Sequence, residues 1–334
     1  MSPISTPSGI ARLAVQPSSA ASPTAGCSAR VAFVLAGRGA TTRTVALSTA
    51  LGLPVAALPI NSERNLVECW VKRMAEGGFR GHVVLAITSE SERAFYSALQ
   101  APPGITLQVQ VDTSGHRGAG GTLGDRWSEL VDSLDAQGRA GGAIVVEASN
   151  VPIFDFGAFF AAVDPSQGAF IGASADATPA GIMWLSPDAL GLVPRIGYFD
   201  LKEQLVTAIV RSGKRVGAHF GPTESCRISD RASYLRAVSL IQADGAAGRC
   251  EDAVVEGGAV VRGASLLCRG AVVERGALVV DSIILPGARV CSDAVVARSI
   301  VPPGSHVPCG YLVVDEIFGA LGSAARSGTE GGAS

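Results

Sequence analysis

From Arg30 onward the chain alternates unbroken apolar runs with stretches whose apolar residues recur at helical spacing. "RVAFVLAG" (30–37), "GHVVLAIT", "ITLQVQVD" and "GAIVVEAS" read as strands, the first as a strand buried on both faces and ended by glycine. "RNLVECWVKRMAEGG", "SESERAFYSALQ" and "GTLGDRWSELVDSLDAQG" read as helices, the first with its stop at Gly77. Strands alternating with helices predict an α/β fold, a Rossmann-like doubly wound parallel sheet. Ligands of such sheets bind at the carboxyl ends of the strands. Those ends are 37–43, 112–123 and 147–155. Two of them carry glycine clusters, "LAGRGATTR" and "HRGAGGTLGD", which let backbone N–H groups approach a phosphate or a base.

Past residue 245 the pattern changes. Val254, Val260, Leu266, Val272, Leu278, Ile284, Val290 and Val296 place an aliphatic residue at every sixth position. Four residues after the first seven come Gly258, Ala264, Gly270, Gly276, Ser282, Ala288 and Ala294, all small. A double register sustained this long is the mark of a stacked repeat.

Composition narrows the function. The 334 residues carry a formal charge of -2, so there is no basic footprint for a nucleic acid. There is no unbroken apolar run of the ~18 residues that a membrane span needs. The seven cysteines, an odd number scattered without a CxxC, predict reduced thiols in a cytoplasmic protein. Residues 1–28, rich in Ser, Pro and Ala, read as a flexible leader, and the end "AARSGTEGGAS" as a flexible tail.

The order of parts resembles the sugar-1-phosphate nucleotidyltransferases, the NDP-sugar pyrophosphorylases such as those of GDP-mannose, ADP-glucose and dTDP-glucose. "LAGRGATTRTVAL…LGLPVAALPI", "GAGGTL", "IVVEASN", "PAGIMWL" and "RISDRASYL" follow that family's motif order from about Ala29 to Val238, and "GYFDLKEQLVTAIVRSGKRVGAHF" is similar to its segment before the last motif. The resemblance implies a nucleotidyltransferase domain over 29–240 and a left-handed β-helix of hexapeptide repeats over 245–310, then a short terminal segment and tail over 311–334. Each flat face of such a triangular coil takes six residues, and the hexads to Val307 make about three coils burying one continuous core. The segment 310–324 is a candidate cap for its open end.

The resemblance also implies a site. Gly37, Gly39, Thr41, Gly118, Gly120 and Gly121 would meet the nucleotide, Gly181 and Glu203 the sugar, and Arg43 and Lys202 would supply catalytic cations. The family holds magnesium with two carboxylates, but here those positions are Ser149 and Arg227. Glu147, Asp155 and Asp230 are the carboxylates near enough in sequence to replace them. Both family lysines are missing, and the hairpin that carries one of them is cut to "SADATP". The expectation is therefore a pyrophosphorylase-like protein of nucleotide-sugar metabolism that binds a nucleotide or NDP-sugar with impaired or lost transfer. It would work in a homo-oligomer or beside a catalytically intact paralogue. Two alternatives stay open. One is a divergent active transferase using Mg2+; the other is a hexapeptide acyltransferase with His306 as general base.

Overall fold

The computed structural model describes residues 27–37, 41–112, 117–221, 224–245 and 248–320. Seven strands form one mixed sheet: β1 (Val31–Leu35), β2 (Gly81–Ile87), β3 (Ile105–Val111), β4 (Ala143–Glu147), β5 (Ala169–Ala173), β6 (Pro179–Leu185) and β7 (Val216–Phe220), in the order β3-β2-β1-β4-β6-β5-β7. The β3-β2-β1-β4 half is parallel, as alternating strands and helices predict. Strand β6 runs antiparallel to both β4 and β5, so the sheet is mixed rather than wholly parallel. The cause is local. Ser174, Asp176 and Thr178 hydrogen-bond one another and close a hairpin between β5 and β6 too short for a crossover helix.

Helices cover both faces. The pleat sends Ala32 and Val34 of β1 to one side and Val31, Phe33 and Leu35 to the other, all buried. The first side packs on α2 (Leu66–Glu76), α5 (Phe156–Ala162) and α8 (Arg231–Ala243). The second packs on α3 (Gly118–Val131), α6 (Pro187–Gly191) and α7 (Val206–Arg211). Helices α1 (Thr42–Leu51) and α4 (Ala136–Ala140) complete the set. Helix α2 has a full capping box, Asn65 with Glu68, which fixes its start. The expected helix in "SESERAFYSALQ" is instead a 3-10 turn over Glu90–Tyr96. Only Tyr96 is buried in that stretch, too little apolar surface to hold a longer α-helix.

Eleven short strands follow and wind a triangular prism. One face stacks β8 (Val254–Val255), β11 (Val272–Val273), β14 (Arg289–Val290) and β17 (His306–Val307). The second stacks β9 (Val260–Arg262), β12 (Leu278–Val280), β15 (Val295–Ala297) and β18 (Leu312–Val314). The third stacks β10 (Leu266–Leu267), β13 (Ile283–Ile284) and β16 (Ile300–Val301). All these pairings are parallel.

The expected register is off by one residue in its first half. The prism interior is lined by Leu267, Val273, Val279, Ile284, Val290, Val296, Val301, Val307 and Val313. Val254, Val260, Leu266, Val272 and Leu278 stand one place earlier and point outward, whereas Ile284, Val290 and Val296 do point inward. The slip is made at Asp281, a left-handed corner (φ 47) that shortens one side by a residue, and Arg298 repeats it (φ 47) a coil later. Val254 pairs with Val272, Val272 with Arg289, and Arg289 with His306, so the first repeat is one residue longer than the next two. The small residues divide accordingly. Ser282, Ala288 and Ala294 are buried inside the prism, while Gly258, Gly270 and Gly276 make corners with positive φ.

At the shortened corner a column of buried serines completes the backbone hydrogen bonding. Ser282 N–H donates to Ser265 Oγ (3.2 Å), Ser299 N–H to Ser282 Oγ (3.1 Å) and Glu316 N–H to Ser299 Oγ (3.2 Å). Each hydroxyl takes up an N–H that the tight turn would otherwise leave unmet.

The outward aliphatics of the third face are not surface residues. Leu266, Ile283 and Ile300 join the core of the α/β unit beneath α8, with Tyr234, Ala237 and Ile241. The two parts thus share one apolar seam. The prism also outruns the expected boundary at 310, because β18 adds a rung and Ile317 bridges Ile300. Tyr311 and Phe318 stack edge-on at that end (centroids 6.0 Å apart), and residues 321–324 of the expected cap lie outside the described residues.

Candidate functional site

The candidate site lies at the carboxyl end of the parallel half of the sheet. After Glu147, β4 ends and the chain turns, with Asn150 N–H donating to Glu147 O (3.0 Å). The segment then runs antiparallel to 226–228: Ile228 N–H donates to Ser149 O (2.8 Å) and Val151 N–H to Cys226 O (2.9 Å). This pairing brings Ser149 and Arg227 onto one cleft wall. Gly181 makes the approach possible, since a Cβ there would lie 2.6 Å from the Asn150 side chain and its φ of 80 favours glycine.

Three charges meet at this strand end. Lys202 Nζ lies 2.9 Å from Glu147 Oε1, and Arg227 Nη1 lies 3.8 Å from Glu147 Oε2. Asn150 Nδ2 also donates to Glu147 Oε2 at 3.4 Å. Lys202 reaches this position from a π-type turn, Leu201–Leu205, whose start is fixed by Asp200 accepting the N–H groups of Lys202 (2.7 Å) and Glu203 (2.8 Å). Glu147 is largely buried and Lys202 half exposed, so the pair is only partly shielded from water.

Beside this cluster is a cleft of about 340 Å³. Gly37, Thr44, Ser48, Thr88, Glu92, Ser149 and Arg227 supply its polar and glycine lining, and Val45, Leu53 and Val55 its apolar side. Thr41 caps α1, its hydroxyl accepting Thr44 N–H at 3.3 Å. Arg43, in the same first turn, is exposed and lies 3.8 Å from Asp230. Gly39 lies outside the described residues.

The glycine triplet does something the sequence does not announce. The N–H groups of Gly120 and Gly121 both donate to Phe199 O (3.0 and 3.3 Å), and a Cβ on Gly118 would sit 2.8 Å from that same oxygen. These glycines let 198–200 pack tightly on α3, and that packing sets where the Lys202 turn begins. Arg117, buried just before α3, pairs with Asp125 (2.9 Å) and Pro194 O (2.8 Å) and anchors the same loop.

The candidate metal carboxylates do not converge. Asp155 caps α5 by accepting Ala158 N–H (2.9 Å) and faces His219, whose pKa is lowered by burial and raised in smaller measure by that charge. Asp230 caps α8; hydrogen bonds from Ser233 N–H and Oγ, then Arg43 and Arg231, hold its carboxyl below the usual range. Among the described residues the one group of three possible ligands within 4.8 Å of one another is Glu274, Cys291 and Cys309, elsewhere on the molecule. A hard cation such as Mg2+ takes oxygen ligands, carboxylates above all. The cleft and its edge offer a serine, an arginine, Glu92 hydrogen-bonded by Thr88 and Glu147 already paired with lysine, and among the described residues these carboxylates do not gather into a group of three ligands, so the donor set does not fit Mg2+. His306 is exposed on β17, in register with Arg289.

Reading the sequence alone missed Thr88, Glu92 and Asn150. Thr88 and Glu92 follow β2 in an ordinary polar turn, and no composition or motif marks them. Asn150 sits inside "IVVEASN", where the contact with Gly181 is visible only in three dimensions.

Residues 237–316 match the family model described as GlmU-like, C-terminal hexapeptide. That span covers the end of α8 and nearly all of the prism, and it supports a hexapeptide β-helix of the GlmU-like kind. No curated protein matches the chain. No helix among the described residues is long and apolar enough to cross a membrane.

Proposed function

We propose that this chain is a relative of the NDP-sugar pyrophosphorylases that has kept the ligand cleft and lost nucleotidyl transfer. It binds a phosphorylated sugar or nucleotide and serves as a binding or regulatory subunit of nucleotide-sugar metabolism. The observation that carries this reading is the pairing of 149–151 with 226–228. It sets Ser149 and Arg227 on one cleft wall, beside a Glu147 neutralised by Lys202. Both are positions that the resemblance assigns to metal carboxylates. The GlmU-like match over the prism supports the same family setting.

The chemistry follows from the charges. Attack on an α-phosphate joins two anions and needs a bridging dication. A fixed guanidinium cannot bridge and move with the reacting oxygens as a metal does, but it binds a phosphate well by charge-assisted hydrogen bonds. Arg227 is then the cation that meets a bound phosphate. Gly37 and the first turn of α1 give room for the backbone to approach it, and Lys202 holds Glu147 from repelling it. Association with a second copy or with an intact paralogue is part of the proposal, because the second prism face carries Val260, Leu278, Val295 and the exposed Leu312.

The test is calorimetric titration with nucleoside triphosphates, sugar 1-phosphates and NDP-sugars, in EDTA and in Mg2+. At least one should bind equally in both, and Arg227→Ala should weaken it more than tenfold. Mg2+-dependent pyrophosphate release at roughly 1 per second or more would overturn the reading. Light scattering of wild type and Leu312→Glu tests the association. A monomeric wild type rules out self-association.

A further inference from the structure

At one corner of the prism three side chains of metal-ligating type meet on three successive coils. Glu274 follows β11, Cys291 follows β14, and Cys309 comes two residues after β17. Val273, Val290 and Val307 are in parallel register, so Glu274 and Cys291 stack on adjacent rungs at about the 4.8 Å spacing of neighbouring strands, and Cys309 stands one place past the equivalent Pro308 on the next rung. One ligand atom from each lies within 4.8 Å of the other two. Both cysteines are free thiols. Neither belongs to the cleft, and none of the three has a part in the reading of it above.

We propose that Glu274, Cys291 and Cys309 form a binding site for one thiophilic divalent cation, Zn2+ before any other. Zn2+ is bound tetrahedrally by thiolate sulfur at about 2.3 Å and by carboxylate oxygen at about 2.0–2.2 Å. Ligand atoms around such a centre stand under ~4 Å apart, so side-chain rotations alone close the gap from the observed spacing. Three protein ligands leave a fourth position for water or an incoming group.

The surroundings suit a charged site. Glu274 is already oriented: Oε2 accepts Ser292 N–H (3.0 Å) and Ser292 Oγ (3.1 Å), and Oε1 accepts Arg289 Nη1 (2.7 Å). A carboxylate has about four acceptor positions, two on each oxygen, so Oε2 is fully used and Oε1 keeps one for the metal. Two thiolates and a carboxylate around a dication leave one negative charge, and the adjacent Arg289 balances it. Burial, and then the neighbouring Glu274 charge and Cys309, raise the Cys291 thiol above its ordinary pKa. Binding releases a proton from each thiol, so affinity rises with pH.

The backbone argues in the same direction. Cys291 N–H donates to Val307 O (3.1 Å) and Gly310 N–H to Ser292 O (2.9 Å), so the ladder holds the corner in place without the ion. The site therefore does not have to form on binding, and the ordering cost is small.

The experiment uses the full chain, reduced and chelator-free, titrated with Co2+ as a spectroscopic probe and then with Zn2+. The expected result is one Co2+ per chain with a thiolate-to-cobalt charge-transfer band that Zn2+ displaces. The band should be lost in Cys309→Ala and in Cys291→Ser and kept in Cys69→Ser. Cys309 is exposed, so its loss leaves the fold intact, which an unchanged far-UV spectrum confirms. Glu274→Gln should keep the band and weaken binding by roughly 10-fold or more. A wild type without the band, a band that survives in the Cys291→Ser, Cys309→Ala pair, or a Cys291–Cys309 disulfide in protein kept under reductant would each overturn the proposal.

Discussion

The prism and the strand-end cleft obey different rules. In the prism almost every side chain has an equivalent a coil above or below, and what matters is the side of the wall on which it falls. In the cleft each position stands once, and its meaning depends on residues far away in sequence. Leu312 and Ile283 show the first rule: both are outward-pointing aliphatics of short strands, yet one is 63% exposed and the other fully buried against the α/β unit. Glu147 shows the second. It ends an ordinary buried strand, but Lys202, 55 residues on, decides what it does.

The largest effect should come from testing the two outward faces against each other. Ile283→Ala removes buried methylenes from the seam beneath α8 and should cost about 2–5 kcal/mol in denaturant unfolding. Leu312→Ala, on the exposed face, should stay within about 0.5 kcal/mol in the monomer. Equal costs would mean that the seam is not part of the core. Next come the corners. Gly263 has φ 65, and a Cβ there would run into the Asp281 carboxylate that accepts Ala264 N–H. Gly304 has the same φ of 65 but open space around it. Gly304→Ala should cost about 1–2 kcal/mol from backbone strain alone, and Gly263→Ala more.

What was legible in the sequence follows the same division. The apolar runs of β1 to β4 and the stop at Gly77 could be read because burial on both faces and helix capping are local. The prism was legible as a period. Its register was not, because Val-Val and Ile-Ile pairs such as Val272–Val273 and Ile283–Ile284 offer two candidates for the inward residue. Only the left-handed corner at Asp281 chooses between them, and an aspartate does not advertise a positive φ as glycine does. The antiparallel β6 was hidden for a similar reason: strand direction depends on the length of a connection, not on the strand. In the site, aligned motifs gave Ser149 and Arg227. The part of the glycine triplet in seating Phe199 was invisible, since a glycine that admits a ligand and a glycine that admits its own chain look alike in sequence.

A smaller effect separates a helix cap from a ligand site. Asp230→Ala should cost about 0.5–2 kcal/mol at neutral pH, the usual worth of an N-cap. Asp230 has a lowered folded pKa, so its contribution is present above the unfolded value of about 3.9 and lost as pH falls through the folded one. Melting curves of wild type and Asp230→Ala should therefore converge in acid. A gap that does not narrow as pH falls below the unfolded value of about 3.9 would mean that the carboxylate's charge does not matter to the cap.

The smallest expected effect on stability is also the sharpest test of the cleft. Lys202 is half exposed, so Lys202→Ala should change the unfolding free energy by less than about 1 kcal/mol, as partly solvated ion pairs do. Its effect on ligands should be larger and of a definite sign. Without Lys202 the Glu147 charge faces Arg227 alone, at 3.8 Å, and part of the positive potential offered to a phosphate is spent on it. Phosphate-bearing ligands should bind more weakly, and the loss should fade as salt rises, because screening acts on exposed charge. Lys202→Ala, Glu147→Gln removes the repelling carboxylate as well and should recover most of the affinity. If the double change binds no better than Lys202→Ala, then Lys202 touches the ligand directly, and its pairing with Glu147 is not what serves the cleft.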